Sequence, residues 1–181
     1  MRLFVAIELP DDAKQIIGRL RADIPGSRWV PVAHLHVTLS FLGEVDDVTL
    51  KQLTEELAAI RAPEFVIRFS GTGCFPNRHR PRILWVGLEP EPLLIGLASL
   101  VRNVVLACNI PQEERPFSPH ITLARLRLPA SREAGEFLDQ PRQTDIPPII
   151  VSEFILFQSR LTPQGAIHTP IRRFPLLPCN R

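Results

Sequence analysis

Apolar residues in this chain switch between two periods, and the switches divide it into elements. Leu3 to Ile7 form an apolar run of strand length in RLFVAIEL. After Pro10 and Asp11-Asp12, Ala13, Ile16, Ile17, Leu20 and Ile24 recur at helical spacing and predict a first helix. Alternation returns from about His34 to Leu42 and stops at Gly43. Leu50, Leu53, Leu57 and Ile60 predict a second helix, starting near Asp47 as N-cap. Two strand-like runs follow, FVIRFSGTGCF and RILWVGLE, joined by the basic turn from Pro76 to Arg82.

The second half has the same plan in altered order. Leu93, Leu97, Leu100, Val101, Val104 and Val105 predict a helix over Pro92–Ala107. A strand, PHITLARLRL, precedes a short helix near Ser131 to Leu138, and the strands PIIVSEFILFQSRL and AIHTPIRRFPL close the chain. This order predicts an α+β fold with two pseudo-symmetric lobes, each an antiparallel sheet flanked by helices, facing a central groove. The lobes belong to a single unit spanning residues 1–181, with the sequence halves joining near residues 89–92.

Composition narrows the setting. Apolar content of 45% and charged content of 22% suit a soluble globular chain. The Leu3–Ile7 run is too short for a signal or spanning segment, which predicts a cytoplasmic protein with no membrane association and no evident obligate protein partner. Cys74, Cys108 and Cys179 are odd in number and lack C-x-x-C spacing, so neither a disulfide framework nor a thiolate zinc site is expected. Net charge is only +2, weaker than the footprint of a protein that coats duplex nucleic acid. Arginine nonetheless outnumbers lysine heavily, with Lys14 and Lys51 the only lysines, and its planar fork suits phosphate.

The candidate chemistry lies in a repeat. His36-Val37-Thr38-Leu39 returns as His120-Ile121-Thr122-Leu123 eighty-four positions later. At this composition one such motif arises by chance about 0.03 times per chain, and a pair roughly once in a thousand chains. Side chains two apart on a strand share a face, so each copy sets an imidazole beside a hydroxyl. Two imidazoles across a groove can act without a metal on a cyclic phosphodiester, one taking a proton from water and the other giving one to the leaving oxygen. Thr38 and Thr122 are candidate donors to the non-bridging phosphate oxygens.

These motifs resemble the two-histidine phosphoesterases, and in particular the RNA 2′,3′-cyclic phosphodiesterase (2′-5′ RNA ligase-like) family. RLFVAIELP, HVTLSFLGEV, FPNRHRPRILWVGL, RPFSPHITLARL and SRLTPQG carry the resemblance over essentially the whole length. It implies a bilobal fold with the site in the central groove, no cofactor, and RNA ends or nucleoside cyclic phosphates as partners. It further implies His36 as proton donor to the leaving 3′ oxygen, His120 as proton acceptor from water, and a 2′-phosphate product. The reverse reaction, joining RNA ends through a 2′-5′ linkage, belongs to the same resemblance. His168 departs from the family's late segment, where Tyr is common.

Several further residues are candidates for substrate contact. His34 shares the face of His36 and Thr38. The family's second motif often carries an Arg at Arg125, yet strict alternation puts Arg125 on the face opposite His120, unless a bulge turns it. Phe41 could stack a base, as could Trp29 and Phe117, but alternation assigns Phe41 to the apolar face with Leu35, Val37 and Leu39. Arg115 is a candidate phosphate ligand, and Arg78, Arg80 and Arg82 with His79 could steer an RNA backbone or simply form a solvated loop. Two rival functions remain open. His34, His36 and His120 could hold zinc, or the groove could bind RNA ends without turnover.

Overall fold

The run RLFVAIE forms strand β1 (Arg2–Glu8), buried from Leu3 to Ile7. Apolar residues at successive positions require cover on both faces of a strand. Leu3, Val5 and Ile7 enter the main core, while Phe4 and Ala6 join a small second cluster with Ile155 and Phe157. The computed structural model describes residues 1–127, 131–140, 145–163 and 165–179. Leu128, at the end of a predicted strand run, and Gln164, in the SRLTPQG motif, lie outside the described residues.

After β1 come α1 (Asp11–Gly18), β2 (Ser27–Trp29) and a single 3-10 turn at Val32–His34 that leads into β3 (His36–Glu44). Helix α2 (Asp47–Ala58) and strands β4 (Phe65–Ile67), β5 (Phe69–Phe75) and β6 (Ile83–Leu88) follow. The second half contributes α3 (Pro92–Ala107), β7 (His120–Leu126), α4 (Arg132–Asp139), β8 (Ile149–Val151), β9 (Glu153–Thr162) and β10 (Gly165–Pro175).

Three local details differ from the pattern-based expectation. Helix α1 stops at Gly18 instead of continuing to Ile24, and a Cβ at Gly18 would stand 2.7 Å from Val32 Cγ2. The missing side chain lets the turn before β3 close against the helix end. The α2 cap is Asp46, one residue earlier than expected, whose carboxylate accepts the Thr49 N–H at 2.9 Å. Strand β2 is too short to show a period. Helix α3 has the predicted bounds and closes on Asn109 at φ 59°. There the Ile110 and Asn109 amides donate to the Val105 and Leu106 carbonyls, a Schellman closure.

The strands form one antiparallel path, β10-β9-β1-β3-β7-β6-β5, with β2 also on β7. Its two motif-bearing parts meet at β3 and β7 through the single register pair Val37↔Ile121. The separate β4·β8 ladder is centred on Val66↔Ile150. Both pairs join residues eighty-four positions apart, so a local two-fold runs through both. The chain halves exchange strands about it. β5 and β6 of the first half flank β7, whereas β9 of the second half pairs with β1.

Leu94, Leu97, Val101 and Val105 of α3 share the main core with Val37, Leu39, Ile121 and Leu123, and α3 packs on β3. Each such side chain contributes about 1.5–3 kcal/mol of burial. That apolar face fixes the register of both motif strands, because a one-residue slip would bury His36 and His120 in place of Val37 and Ile121.

Candidate active site

The Val37↔Ile121 pair sets His36 level with Thr122 and Thr38 level with His120, on the face away from α3. His36 and His120 are thus diagonal neighbours. In a regular ladder such positions lie roughly 7–8 Å apart, room for one phosphoryl group with a hydrogen-bonded oxygen on each side. On β1 the level residues are Glu8 beside His36 and Ala6 beside Thr38, and on β6 Trp85 beside Thr122 and Gly87 beside His120. Ala6 adds only a methyl group to the row, and the place a Cβ would take at Gly87 is held by Ser70 Oγ, 2.4 Å away. A Cβ at Gly73 would stand 2.2 Å from the Trp85 ring, which lies across that glycine.

Both imidazoles are oriented identically. Nδ1 of His36 is 2.6 Å from the carbonyl oxygen of His34, and Nδ1 of His120 is 2.7 Å from that of Ser118. A carbonyl only accepts, so each Nδ1 carries the hydrogen and donates it. Nε2 is then free to face the groove, holding a lone pair in the neutral ring and a proton in the imidazolium. Aromatic rings fix the planes, with Phe4 at 5.0 Å from His36 and Phe75 edge-on to His120 at 5.0 Å, centroid to centroid.

Burial lowers the pKa of both rings below the ordinary histidine value of 6.5. For His36 the His34 carbonyl opposes this, and the charges of His34, Lys14 and His120 add to it. For His120 the Ser118 carbonyl opposes it, and the Arg125 guanidinium adds to it. The two imidazoles are close enough for the charge on His120 to disfavour charge on His36.

Arg125 and Phe41 both lie on the face opposite to the one that alternation assigned. The first seven residues of β3 and all of β7 share one burial sequence, in which the fourth and fifth residues are both buried and the sixth is exposed. Register slips at Val5/Ala6 against β3 and at Leu84/Trp85 against β7 locate an extra residue just past each threonine. These bulges reverse the alternation. Phe41 pairs with Phe4 across the strands, is 64% exposed, and lies on the histidine face instead of in the core. Arg125 is exposed on the side of His120, whose charge it influences.

The remaining candidates divide. His34 ends the 3-10 turn, and its ring stacks on His168 at 4.8 Å. Arg115 is exposed before β7, with Glu113 at 4.0 Å as its ion-pair partner. Trp29 packs edge-on to Phe137 at 5.9 Å, and Phe117 packs against the main core. Arg78 pairs with Asp139, while Arg82 donates to the Arg127 carbonyl at 3.1 Å. Among the described residues no group of three His, Cys, Asp or Glu side chains is arranged to hold a metal ion, so the zinc alternative has no ligand set there.

His168, which motif reading noted only as a departure from the family's late segment, is a principal site residue to which that reading gave no role. It stands edge-on to His36 at 5.4 Å and edge-on to Phe4 at 4.9 Å. Burial, then the charges of His36 and His34, push its pKa down to about 4. It therefore acts as a neutral wall at neutral pH. A second missed feature is the buried cation Lys14, 3.3 Å from Glu8 Oε1, in a carboxylate-bearing cluster that also holds Arg173, 3.0 Å from Glu8 Oε2. Only the contacts of a folded chain reveal either.

Comparison with known proteins matches the LigT-like phosphoesterase family model twice, over residues 7–85 and 86–168. The chain is 35% identical to an RNA 2′,3′-cyclic phosphodiesterase of Thermus thermophilus, covering 97% of this chain and 90% of the relative. It is also 35% identical to one of Escherichia coli, covering 97% and 96%. Among solved structures, E. coli LigT in its apo form superposes with a TM-score of 0.82 at 33% identity over 97% of this chain and 96% of that one. The same protein has been crystallised with 3′-AMP.

Proposed function

The chain belongs to the LigT-like phosphoesterase family, and on that footing we propose that it hydrolyses the 2′,3′-cyclic phosphate of an RNA end or nucleoside. His120, neutral and held by the Ser118 carbonyl, takes a proton from water at Nε2 as the water oxygen bonds to phosphorus. The bond from phosphorus to the 3′ oxygen breaks, and His36 delivers its Nε2 proton to that oxygen. A 2′-phosphate and a free 3′-hydroxyl result. Each ring keeps its Nδ1 hydrogen bond throughout, so neither has to turn during the cycle. A 5′-hydroxyl in place of water would yield a 2′-5′ linkage by the same proton movements.

Thr38 and Thr122 donate to the equatorial oxygens, and the Arg125 guanidinium offsets charge that builds there. Phe41, exposed beside the row, offers its ring to the base of the terminal nucleotide, and His34 borders the same end through His168. Arg115 would meet a longer substrate only along the loop that precedes β7. The enzyme we infer is cytoplasmic, works without a metal, and takes nucleotides instead of a protein partner.

The observation that carries this reading is the matched orientation of two imidazoles on strands related by the local two-fold. Its test is incubation with a nucleoside 2′,3′-cyclic phosphate after dialysis against chelator, with the product resolved by phosphorus NMR. A 2′-phosphate is expected. A 3′-phosphate, or activity that returns only with zinc, overturns the mechanism, while substrate binding without turnover favours the end-binder.

A further inference from the structure

Arg28 of β2 stands directly opposite Arg125 of β7. Side chains directly opposed across an antiparallel pair share a face, with Cβ atoms about 4.5–5.5 Å apart, and like charges there repel. No ion pair among the described residues relieves either guanidinium. Arg125 lies on the histidine side, so Arg28 does too. The Arg28 guanidinium also reaches the far wall of the groove, since a Cβ on Gly165 of β10 would stand 3.1 Å from its Nη2. In the sheet, β9, β1 and β3 separate β10 from β7. The contact is made because β1 pairs with β9 only over Ile155–Gln158, so the distal part of the β9–β10 hairpin runs past it.

The groove is thus closed at one end by two unneutralised cations, one beside His120 and the next further out. A single anion at the phosphorus position accounts for Arg125 but leaves Arg28 without a counterpart. Two negative charges in succession fit both, and a nucleic-acid strand supplies them. We propose that Arg28 forms a second anion subsite for the phosphodiester that precedes the cyclic end, making oligonucleotides the preferred substrate class over free nucleosides. The inference rests on the phosphodiesterase reading above and adds the length of its substrate.

Two dinucleotides ending in a 2′,3′-cyclic phosphate test it, one with an ordinary internal phosphodiester and one with a neutral methylphosphonate there. The native enzyme is expected to favour the charged linkage in kcat/KM by roughly tenfold or more, and Arg28→Gln to bring that ratio close to one. Salt should weaken the preference of the native enzyme more than that of the variant. A ratio unchanged by the substitution, or a native enzyme indifferent to the linkage charge, overturns the subsite while leaving the reaction intact. Failure of the native enzyme to open either dinucleotide or a nucleoside cyclic phosphate sinks the underlying reading instead. Thermal melts of Arg28→Gln separate these outcomes from misfolding, since removing one of two facing cations should not lower Tm.

Discussion

Phe41 and Arg125 occupy the same place in the two motif strands, each just past a bulge that turns it toward the histidines. One repeat therefore carries a ring and the other a cation at related positions, which gives the groove an apolar side and an ionic side. Replacing Arg125 with Ala removes one cause of the lowered His120 pKa, after burial as the main one. We expect kcat/KM to fall about 10–100-fold, the worth of a charge-assisted hydrogen bond. The acid limb of its pH profile should move to higher pH. A loss of activity without that movement would remove Arg125 from the neighbourhood of His120.

His36→Ala and His120→Ala should each lower kcat by about 10²–10⁴-fold, roughly 3–5 kcal/mol of barrier. Both residues act in one proton relay, so the double variant is expected to lose little more than either single one. Turnover of a nucleoside 2′,3′-cyclic phosphate measures this, and near-native rates in either variant would refute the assignment.

The pH dependence has a defined sign. Both imidazoles have pKa values below 6.5 in the unliganded protein, chiefly through burial. The free enzyme needs His120 neutral and His36 protonated, so kcat/KM should be bell-shaped with its centre on the acid side of the ordinary histidine value. A bound phosphate anion stabilises the imidazolium forms and raises both values. The kcat profile should therefore lie at higher pH than the kcat/KM profile. Because the rings interact, the two limbs belong to the pair and not to either residue. A monotonic profile, or one centred well above neutrality, would contradict the two-imidazole mechanism.

His168 has a folded-state pKa of about 4 against 6.5 in the unfolded chain. The unfolded state binds the extra proton between these values, so its stabilising contribution is present above about 6.5 and is lost as pH falls toward about 4. His168→Phe keeps a ring against Phe4 and His34 and removes the titration. Denaturant midpoints measured at neutral and acid pH should differ less in this variant than in the native protein.

Gly73→Ala would place a methyl group 2.2 Å from the Trp85 indole, level with Thr122 across β6. We expect a loss of about 1–3 kcal/mol in stability from overpacking. Activity should fall as well, since the displaced indole would crowd the row. Urea titration and turnover measured together check both effects.

Elements that depend on local pattern were legible in the chain itself. Helix α3 runs from Pro92 to Ala107 as its apolar spacing predicts, and the paired H-x-T-L strands face as alternation requires. What escaped reading arises from pairing between distant segments. The bulges after Thr38 and Thr122 leave the letters of the strands looking regular, so alternation puts Phe41 on the core face and leaves the facing of Arg125 to a bulge that the letters do not mark. His168 reaches His36 only because β9 and β10 dock beside β1. The exchange of strands between halves likewise has no signature in spacing, because either lobe could have closed on its own half.

That exchange has a consequence for how the enzyme comes into being. Among the described residues, the ladder partners of β7 all lie in the first half of the chain, namely β2, β3 and β6. β7 is thus seated among strands that precede it in the chain, and it brings the second imidazole to them. Fragments cut at the Glu89–Pro92 junction are therefore expected to complement each other through these ladders. Activity regained on mixing them would make this chain a split reporter whose signal is its own chemistry.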